Sequence, residues 1–251
     1  MKRIVLFLYF SVAISLLDAQ TPKELWKNAN NLYSQSNYSE ALENYLKIED
    51  MGYASESLFY NIGNSYFKLK EAGKSILYYE RALKFNPSDK DLINNLNLAK
   101  DFSLDKIEEI PDFILGTWIE NINYSLSSDK WGIITLFLFA VAALLLLSFR
   151  FGSSSRIRKI SFFAAMAALL LGLGSGYFSM NQKHRYNLKN TAIVMKPVST
   201  VRSSPDNSGK TLFILHEGTK VELLEELGQW KRVELADGRQ GWIFSVDIEV
   251  I

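Results

Sequence analysis

Few side chains in this sequence have the types and spacing that chemistry requires. The chain contains no cysteine, which excludes thiolate catalysis and cysteine-ligated metals, and His184 and His216 belong to no histidine metal motif. The run Gly172-Leu-Gly-Ser-Gly176 superficially resembles a phosphate-binding loop, but it lies inside an apolar segment and no Lys-Ser or Lys-Thr pair follows it. No nucleophile with a neighbouring base can be assembled. We therefore expect no catalytic residue, no bound metal and no cofactor.

The same glycines suit a packing role instead. Gly172 and Gly176 are four residues apart, which is the spacing that lets two apolar helices approach closely within a membrane. This motif also arises by chance in apolar segments. Helix packing and a chance occurrence both stay open.

Two uncharged apolar runs, 131–149 and 160–180, indicate how the chain is organised. At about 1.5 Å per residue each is long enough to cross a bilayer as a helix, so we predict spans at 130–150 and 160–180. The loop between them, 151–159, is basic, and an excess of Lys and Arg in a short loop marks the cytoplasmic side. The residues that set this topology are Arg150, Arg156, Arg158 and Lys159.

The N-terminus agrees with that topology. Lys2 and Arg3 precede an apolar stretch at 4–17, a pattern typical of a secretory signal peptide, which we predict over 1–19. Asp18 is unusual beside a cleavage site, and an uncleaved anchor remains the alternative. In either case the following segment is exported. We therefore predict a membrane protein with both polar segments together on the side of the bilayer opposite the basic loop.

Self-similarity at a period of 34 residues predicts a helical repeat in segment 20–103. Ala29-Asn-Asn-Leu-Tyr33 and Gly63-Asn-Ser-Tyr-Phe67 start 34 residues apart, and Pro87 stops the second unit. Small residues recur where paired helices must approach closely. The segment resembles two tetratricopeptide repeats, and an apolar helix at 91–100 resembles the cap that such stacks need.

This resemblance implies a peptide-binding groove formed by the first helix of each pair. Some family members grip a C-terminal carboxylate with asparagines and basic residues, but Trp26, Asp91 and Asn95 replace the basic residues in this chain. The carboxylate clamp is therefore absent. We predict a partner-binding groove surface of aromatic and amide side chains, and the alternative is that these are ordinary repeat-surface residues. The candidates are Trp26, Asn30, Tyr33, Asn64, Phe67 and Lys68.

The linker at 104–129 contains an amphipathic helix. Its apolar residues recur at helical spacing and form a stripe just before the first predicted span. They are Phe113, Leu115, Trp118, Ile119 and Ile122. The helix either lies in the membrane interface or packs on the end of the repeat stack, and the sequence favours neither.

The C-terminal segment, 190–251, changes to short alternating apolar runs separated by turn pairs such as Asp237-Gly238. This predicts five or six strands in a compact barrel. Val201-Arg-Ser-Ser-Pro205 and the closing Gly241-Trp-Ile243 resemble the bacterial SH3-like (SH3b) fold. Trp230 and Trp242 are candidates for its ligand surface, although tryptophans of small barrels more often complete the core.

The predicted fold class is thus a multidomain membrane protein: an all-α repeat domain, a two-helix transmembrane hairpin and an all-β SH3-like barrel. This order resembles the BatE family of the aerotolerance (Bat) operon. The resemblance implies a bacterial inner-membrane protein with the N-terminal repeats and the SH3-like domain in the periplasm. It also implies von Willebrand A-domain membrane proteins and a MoxR-type ATPase as partners. The formal net charge of +1 gives no reason to expect nucleic acid.

Two functional hypotheses follow. The first is a non-enzymatic scaffold or adaptor that binds protein partners through its repeats, in a Bat/MoxR-type stress-tolerance complex. The second is an envelope sensor whose SH3-like domain binds peptidoglycan peptides.

Overall fold

The computed structural model describes residues 21–107 and 114–251. The predicted signal peptide and Phe113 of the amphipathic stripe lie outside these residues. The chain divides into two compact units, Met1–Ala54 and Ser55–Ile251, and each is described by itself.

The first unit contains one helical hairpin, α1 (Pro22–Ser34) and α2 (Tyr38–Asp50). Thr21 starts α1 through a capping box, in which its hydroxyl accepts from the Glu24 amide and the Glu24 carboxylate accepts from the Thr21 amide. The facing sides of the helices bury small and aromatic residues, including Ala29, Ala41 and Tyr45. Small side chains let the two helices pack closely, as the repeat pattern predicts.

The second unit begins with α3 (Glu56–Lys68), α4 (Ala72–Leu83) and α5 (Lys90–Lys100). A Cβ atom on Gly63 would lie 2.7 Å from the Tyr79 ring, so only glycine leaves room for that buried ring. The Asp89 carboxylate caps α5 by accepting from the Leu92 amide at 2.9 Å. The helices α3 and α4 form the second repeat, and α5 covers its apolar face.

Three helices follow: α6 (Ile114–Tyr124), α7 (Ser128–Phe151) and α8 (Ser155–Asn187). The last two are long and apolar enough to span a membrane, and they pack against each other as a hairpin. The turn between them is shorter than the predicted loop at 151–159. The Ser154 hydroxyl accepts from the Ile157 amide and starts α8, so the basic residues from Arg156 onward lie in its first turns.

The remaining strands form one antiparallel sheet in the order β3-β2-β6-β5-β4-β1-β7. They are β1 (Thr191–Val194), β2 (Val198–Arg202), β3 (Thr211–His216), β4 (Lys220–Leu227), β5 (Trp230–Glu234), β6 (Gln240–Phe244) and β7 (Ile248–Val250), with a 3-10 turn at Ser245–Asp247. Alternate residues such as Val201, Leu215 and Ile243 point into a shared core. Gly218, with φ of 91°, makes the turn between β3 and β4.

These elements confirm the predicted fold class. The N-terminal region is all-helical, two apolar helices could span a membrane, and the C-terminal sheet is antiparallel, as expected of a bacterial SH3 domain.

Candidate functional site

The sheet is fixed to the second repeat by a polar contact surface that we call the junction. It comprises α4, the end of α5 with the segment 101–107, and the turn between β3 and β4 with the first residue of β4. The Glu217 carboxylate accepts from the Gly73 amide at 3.1 Å, and the Ser103 hydroxyl donates to the Glu217 carbonyl at 3.3 Å. Gly218 lies so close to Ile76 that an added Cβ would be 2.8 Å from its terminal methyl group. The turn is therefore seated directly on α4.

Asp105 holds the strand side of the junction. Its carboxylate accepts from the His216 amide at 2.7 Å and from the Thr219 hydroxyl at 2.6 Å, and it lies 2.8 Å from His216 Nδ1. Burial raises the pKa of the Asp105 carboxyl, but the hydrogen bonds from Thr219 and His216 outweigh burial and lower that pKa below its ordinary value. Asp105 is therefore ionised at neutral pH and satisfied by the turn that it holds.

Glu80 provides the charged centre of the junction. Its carboxylate is buried and contacts Lys220 Nζ at 2.6 Å and Lys100 Nζ at 3.3 Å, while both lysines remain partly exposed. Burial raises the pKa of Glu80, but the positive charges of the two lysines outweigh burial and lower it overall. One buried carboxylate thus joins the repeat, its cap and the sheet.

The far end of α4 contacts the last strand and the end of the hairpin. Arg81 pairs with the Glu249 carboxylate at 2.8 Å, and Lys84 Nζ donates to the carbonyls of Leu188 and Ile251 at 2.9 and 2.8 Å. Burial lowers the pKa of the Lys84 ammonium group. The outer helix of the second repeat is consequently occupied by the chain's own sheet and by the residues that follow α8.

A pocket of about 730 Å³ opens beside the junction. Lysines and carboxylates line it together, among them Lys106, Lys220, Glu222 and Glu234. Such mixed charge suits a polar ligand. Within the described residues no three His, Asp or Glu side chains are grouped in a way that would hold a metal ion.

The predicted groove asparagines hold the paired helices together. The Tyr45 hydroxyl donates to Asn30 Oδ1 at 2.6 Å, and the Tyr79 hydroxyl donates to Asn64 Oδ1 at 2.7 Å, at equivalent positions of the two repeats. Asn64 Oδ1 also accepts from Asn95 at 3.1 Å. The amide oxygens therefore have a structural role in each unit, and their ligand role stays a prediction.

The other groove candidates also take part in local contacts. In the first unit, the Trp26 ring contacts the edge of Tyr45 at a centroid distance of 5.5 Å, and Tyr33 contacts Tyr38 at 5.1 Å. In the second unit, Lys68 is exposed and Phe67 is half-buried. A binding role for these side chains stays a prediction as well.

The predicted groove residues include Phe67 but not the exposed aromatic residue that Phe67 contacts in the second unit. Phe67 on α3 contacts Phe102 edge-to-face at 5.8 Å, and Phe102 is 69% exposed. Leu98 and Leu104, which are nearby in the sequence, are also exposed. We call the contacting pair Phe67 and Phe102 the apolar patch. The signal lay in the cap helix, where Leu98 falls outside the buried stripe of Leu92, Leu96 and Ala99.

The two tryptophans of the sheet have different environments. Trp230 is buried and stacks on Phe244, with ring centroids 4.0 Å apart. Trp242 is partly exposed and pairs in register with Arg202 on one neighbouring strand and Arg232 on the other. Directly opposite residues of neighbouring strands lie on the same face of the sheet, so Trp242 shares its face with two basic side chains. Trp230 has a packing role, and Trp242 lies on the accessible face.

The glycines of α8 face α7. A Cβ on Gly172 would lie 2.8 Å from the Phe139 ring, whereas one on Gly176 would lie 3.5 Å from the Thr135 methyl group, an ordinary contact. Gly172 is therefore the tighter of the two positions. The Ser128 hydroxyl donates to the Ser179 carbonyl at 3.0 Å and joins the same helices at the end opposite the basic residues.

Comparison with known proteins supports two interaction modules. Residues 57–89 match the tetratricopeptide repeat family, and residues 198–249 match the bacterial SH3 domain family. Over 74 residues the chain is 32% identical to the photosystem I assembly protein Ycf3 of Cyanophora paradoxa, an alignment that covers 28% of this chain and 43% of that protein. The chain thus spans less than half the length of this relative. Tetratricopeptide repeats bind proteins, and bacterial SH3 domains typically bind rather than catalyse.

Proposed function

We propose that this chain is a non-enzymatic membrane scaffold that presents a protein-binding surface close to the bilayer. The observation that carries the proposal is the junction, where the buried Glu80 carboxylate fastens the sheet to the second repeat while the apolar patch on α3 and after α5 stays exposed. Two modules that are fixed to each other and carry an exposed apolar pair suit a protein partner better than a small substrate. Clustered exposed apolar side chains commonly mark interaction sites.

The position of the modules on the hairpin supports a periplasmic site. Lys84 and Phe85 contact Leu188 and Tyr186 at the end of α8 that is remote from Arg156. If the basic end is cytoplasmic, as the excess of Lys and Arg indicates, the second repeat and the sheet lie on the other side of an inner membrane. Anchoring there raises the effective concentration of a membrane-bound partner.

We further propose that the partners are von Willebrand A-domain membrane proteins and a MoxR-type ATPase, in a Bat-type stress-tolerance complex. This rests on the order of modules, which resembles the BatE family. The similar protein from Cyanophora paradoxa is named a photosystem I assembly protein, which agrees with a role in assembly rather than catalysis.

Replacing Phe67 and Phe102 together with alanine is expected to abolish recovery of the protein partner. The two rings contact each other on the exposed surface, and apolar anchors of this kind each contribute on the order of 2 kcal/mol or more to binding. The measurement is quantitative co-purification of tagged chain from native membranes. Unchanged partner recovery would exclude the apolar patch as the binding surface.

Tyr53→Ala provides the matched control. Tyr53 is an aromatic side chain that is 56% exposed, similar to Phe102, but it lies in the first unit and outside the apolar patch. Partner recovery is expected to match the unaltered chain. Equal losses from both variants would indicate nonspecific capture by exposed aromatic residues.

A second candidate function is recognition of peptidoglycan peptides, favoured by Trp242 between Arg202 and Arg232 on the accessible face of the sheet. Stem peptides carry carboxylates that guanidinium groups bind well.

We expect Trp242→Ala to weaken muropeptide binding by the full chain at least tenfold, measured by calorimetric titration. The control is Val246→Ala, because Val246 is 87% exposed and does not pair with Arg202, Arg232 or Trp242. Absence of saturable binding by the unaltered chain would eliminate this candidate.

A further inference from the structure

Helix α6 is attached to the membrane hairpin by a buried polar cluster. Asn123 is 4% exposed, and its carbonyl accepts from Trp131 Nε1 at 2.9 Å and from the amide of Gln182. The Asn123 side chain donates to Asn181 Oδ1 at 3.2 Å, and Gln182 also donates to the Leu126 carbonyl at 2.9 Å. The C-terminal end of α6 is thereby held against both α7 and α8.

The position of the cluster also indicates how deep α6 lies relative to the membrane. Trp131 begins the first uncharged apolar run, and Asn181 and Gln182 directly follow the second, so the hydrogen bonds lie where both apolar runs end. Trp131 packs on Phe178 at a centroid distance of 5.1 Å, and Tyr177 is exposed nearby. Aromatic residues concentrate at the boundary between hydrocarbon and headgroups. Helix α6 therefore joins the hairpin at that boundary.

The apolar stripe of α6 faces outward. Trp118, Ile119 and Ile122 are 68%, 54% and 39% exposed, while the polar Asn123 is buried. Such an arrangement is unfavourable in water, because apolar side chains are exposed and an amide is withdrawn from solvent. It is favourable at a bilayer surface, where the stripe enters the acyl boundary and a tryptophan sits at headgroup depth.

We propose that α6 is an interfacial helix that lies on the bilayer with Trp118, Ile119 and Ile122 in the lipid boundary. The occupant of this face is lipid because the face continues the exposed apolar surface of the hairpin, to which Asn123 fastens it. The proposal rests on the proposed function to the extent that the hairpin must span a membrane. Its consequence is that α6 is held at the membrane surface beside the hairpin.

Nitroxide labels test the proposal directly, because the chain has no cysteine of its own. The full chain is reconstituted into vesicles of phosphatidylethanolamine and phosphatidylglycerol with one of three substitutions: Ile119→Cys, Thr117→Cys or Leu170→Cys. Positions 117 and 119 are both exposed and point in nearly opposite directions, about 160° apart around the helix. The measurement is label accessibility to oxygen, which partitions into lipid, against a water-soluble nickel chelate.

The expected result is that the label at 119 collides mainly with oxygen and the label at 117 mainly with the chelate. Chelate access at both positions would place α6 in water and overturn the proposal, and poor access of both reagents at both positions would place it against protein and also overturn it. Leu170 is exposed in the middle of α8 and reports on the hairpin itself. Chelate access at 170 would overturn the membrane hairpin and the proposal together, whereas oxygen access at 170 with chelate access at 119 would overturn the interfacial helix alone.

Discussion

Replacing Glu80 with alanine is expected to loosen the sheet from the second repeat and to lower the free energy of unfolding by about 2–3 kcal/mol. Removing one partner of a buried ion pair costs roughly 3–5 kcal/mol when the remaining charge stays buried. Lys220 and Lys100 are partly exposed and regain water, so the expected loss lies at or below the lower end of that range. The measurement is denaturant unfolding of the detergent-solubilised chain, together with protease cleavage of segment 101–107.

Glu249→Ala is the matched control for this prediction. Glu249 also pairs across the repeat and the sheet, with Arg81 at 2.8 Å, but its side chain is 48% exposed. Exposed ion pairs contribute about 0–1 kcal/mol, so this variant is expected to unfold nearly like the unaltered chain. Equal effects of the two substitutions would show that burial of the Glu80 carboxylate does not decide the stability of the junction.

Acid is expected to weaken the same junction. The pKa values of Glu80 and Asp105 are both lowered in the folded chain, so their contribution is fully present above the unfolded pKa values of about 4.3 and 3.9. That contribution is lost as the pH falls below about 4 and through the folded pKa values. Protease cleavage of 101–107 should therefore increase in this range for the unaltered chain. A chain that carries both Glu80→Gln and Asp105→Asn should show a smaller change.

Tyr79→Ala is expected to destabilise the second repeat by about 3–5 kcal/mol, the largest effect among these substitutions. The Tyr79 side chain is 1% exposed, its ring contacts Gly63, and its hydroxyl donates to Asn64. Truncation of a buried aromatic residue removes its apolar contacts and leaves a cavity. Tyr79→Phe keeps the ring and is expected to cost only about 1 kcal/mol for the lost hydrogen bond. Both values come from denaturant unfolding.

Gly63→Ala distinguishes a specific ring contact from general fragility. In the unaltered chain the added methyl group would lie 2.7 Å from the Tyr79 ring, and we expect a loss of about 1–2 kcal/mol from overpacking. In the Tyr79→Ala background the methyl group occupies vacated space and alanine is the better helix former, so the same change should stabilise by up to about 1 kcal/mol. A loss of stability in both backgrounds would contradict the proposed packing.

Local patterns predicted the elements of this chain well. The 34-residue offset between Gly63 and Ala29 identified the helical hairpins, because close packing of paired helices demands a small residue at the same position of each repeat. The uncharged runs identified α7 and α8, because a bilayer-spanning helix must be apolar over most of its length. Alternation identified most of the strands. The boundaries were less predictable. Helix α8 starts at Ser155, because the Ser154 hydroxyl caps it, and the helix therefore includes basic residues that were predicted to lie in the loop.

The candidate sites were harder to predict. The repeat pattern predicts Asn30 and Asn64 as groove residues. In the folded units, however, their amide oxygens accept hydrogen bonds from the hydroxyl groups of Tyr45 and Tyr79. Phe102 is a single apolar residue after a helix, and no sequence pattern indicates whether it is buried. Its exposure is evident only in the folded chain. Sequence shows which groups can form hydrogen bonds or bury surface. It does not show which of them the fold leaves available.

The sequence by itself determined the repeat, the apolar hairpin and the alternating strands, because hydrophobic periodicity and small-residue spacing act over a few turns or one strand. Only the tertiary structure decided how the modules of the second unit are joined. Asp105 meets His216 across 111 residues of chain, and Glu80 meets Lys220 across 140. Such pairings depend on which surfaces meet after each module has folded. An isolated carboxylate in the sequence carries no information about a partner so distant. The pairing is specific because a carboxylate buried without its lysines would be strongly unfavourable.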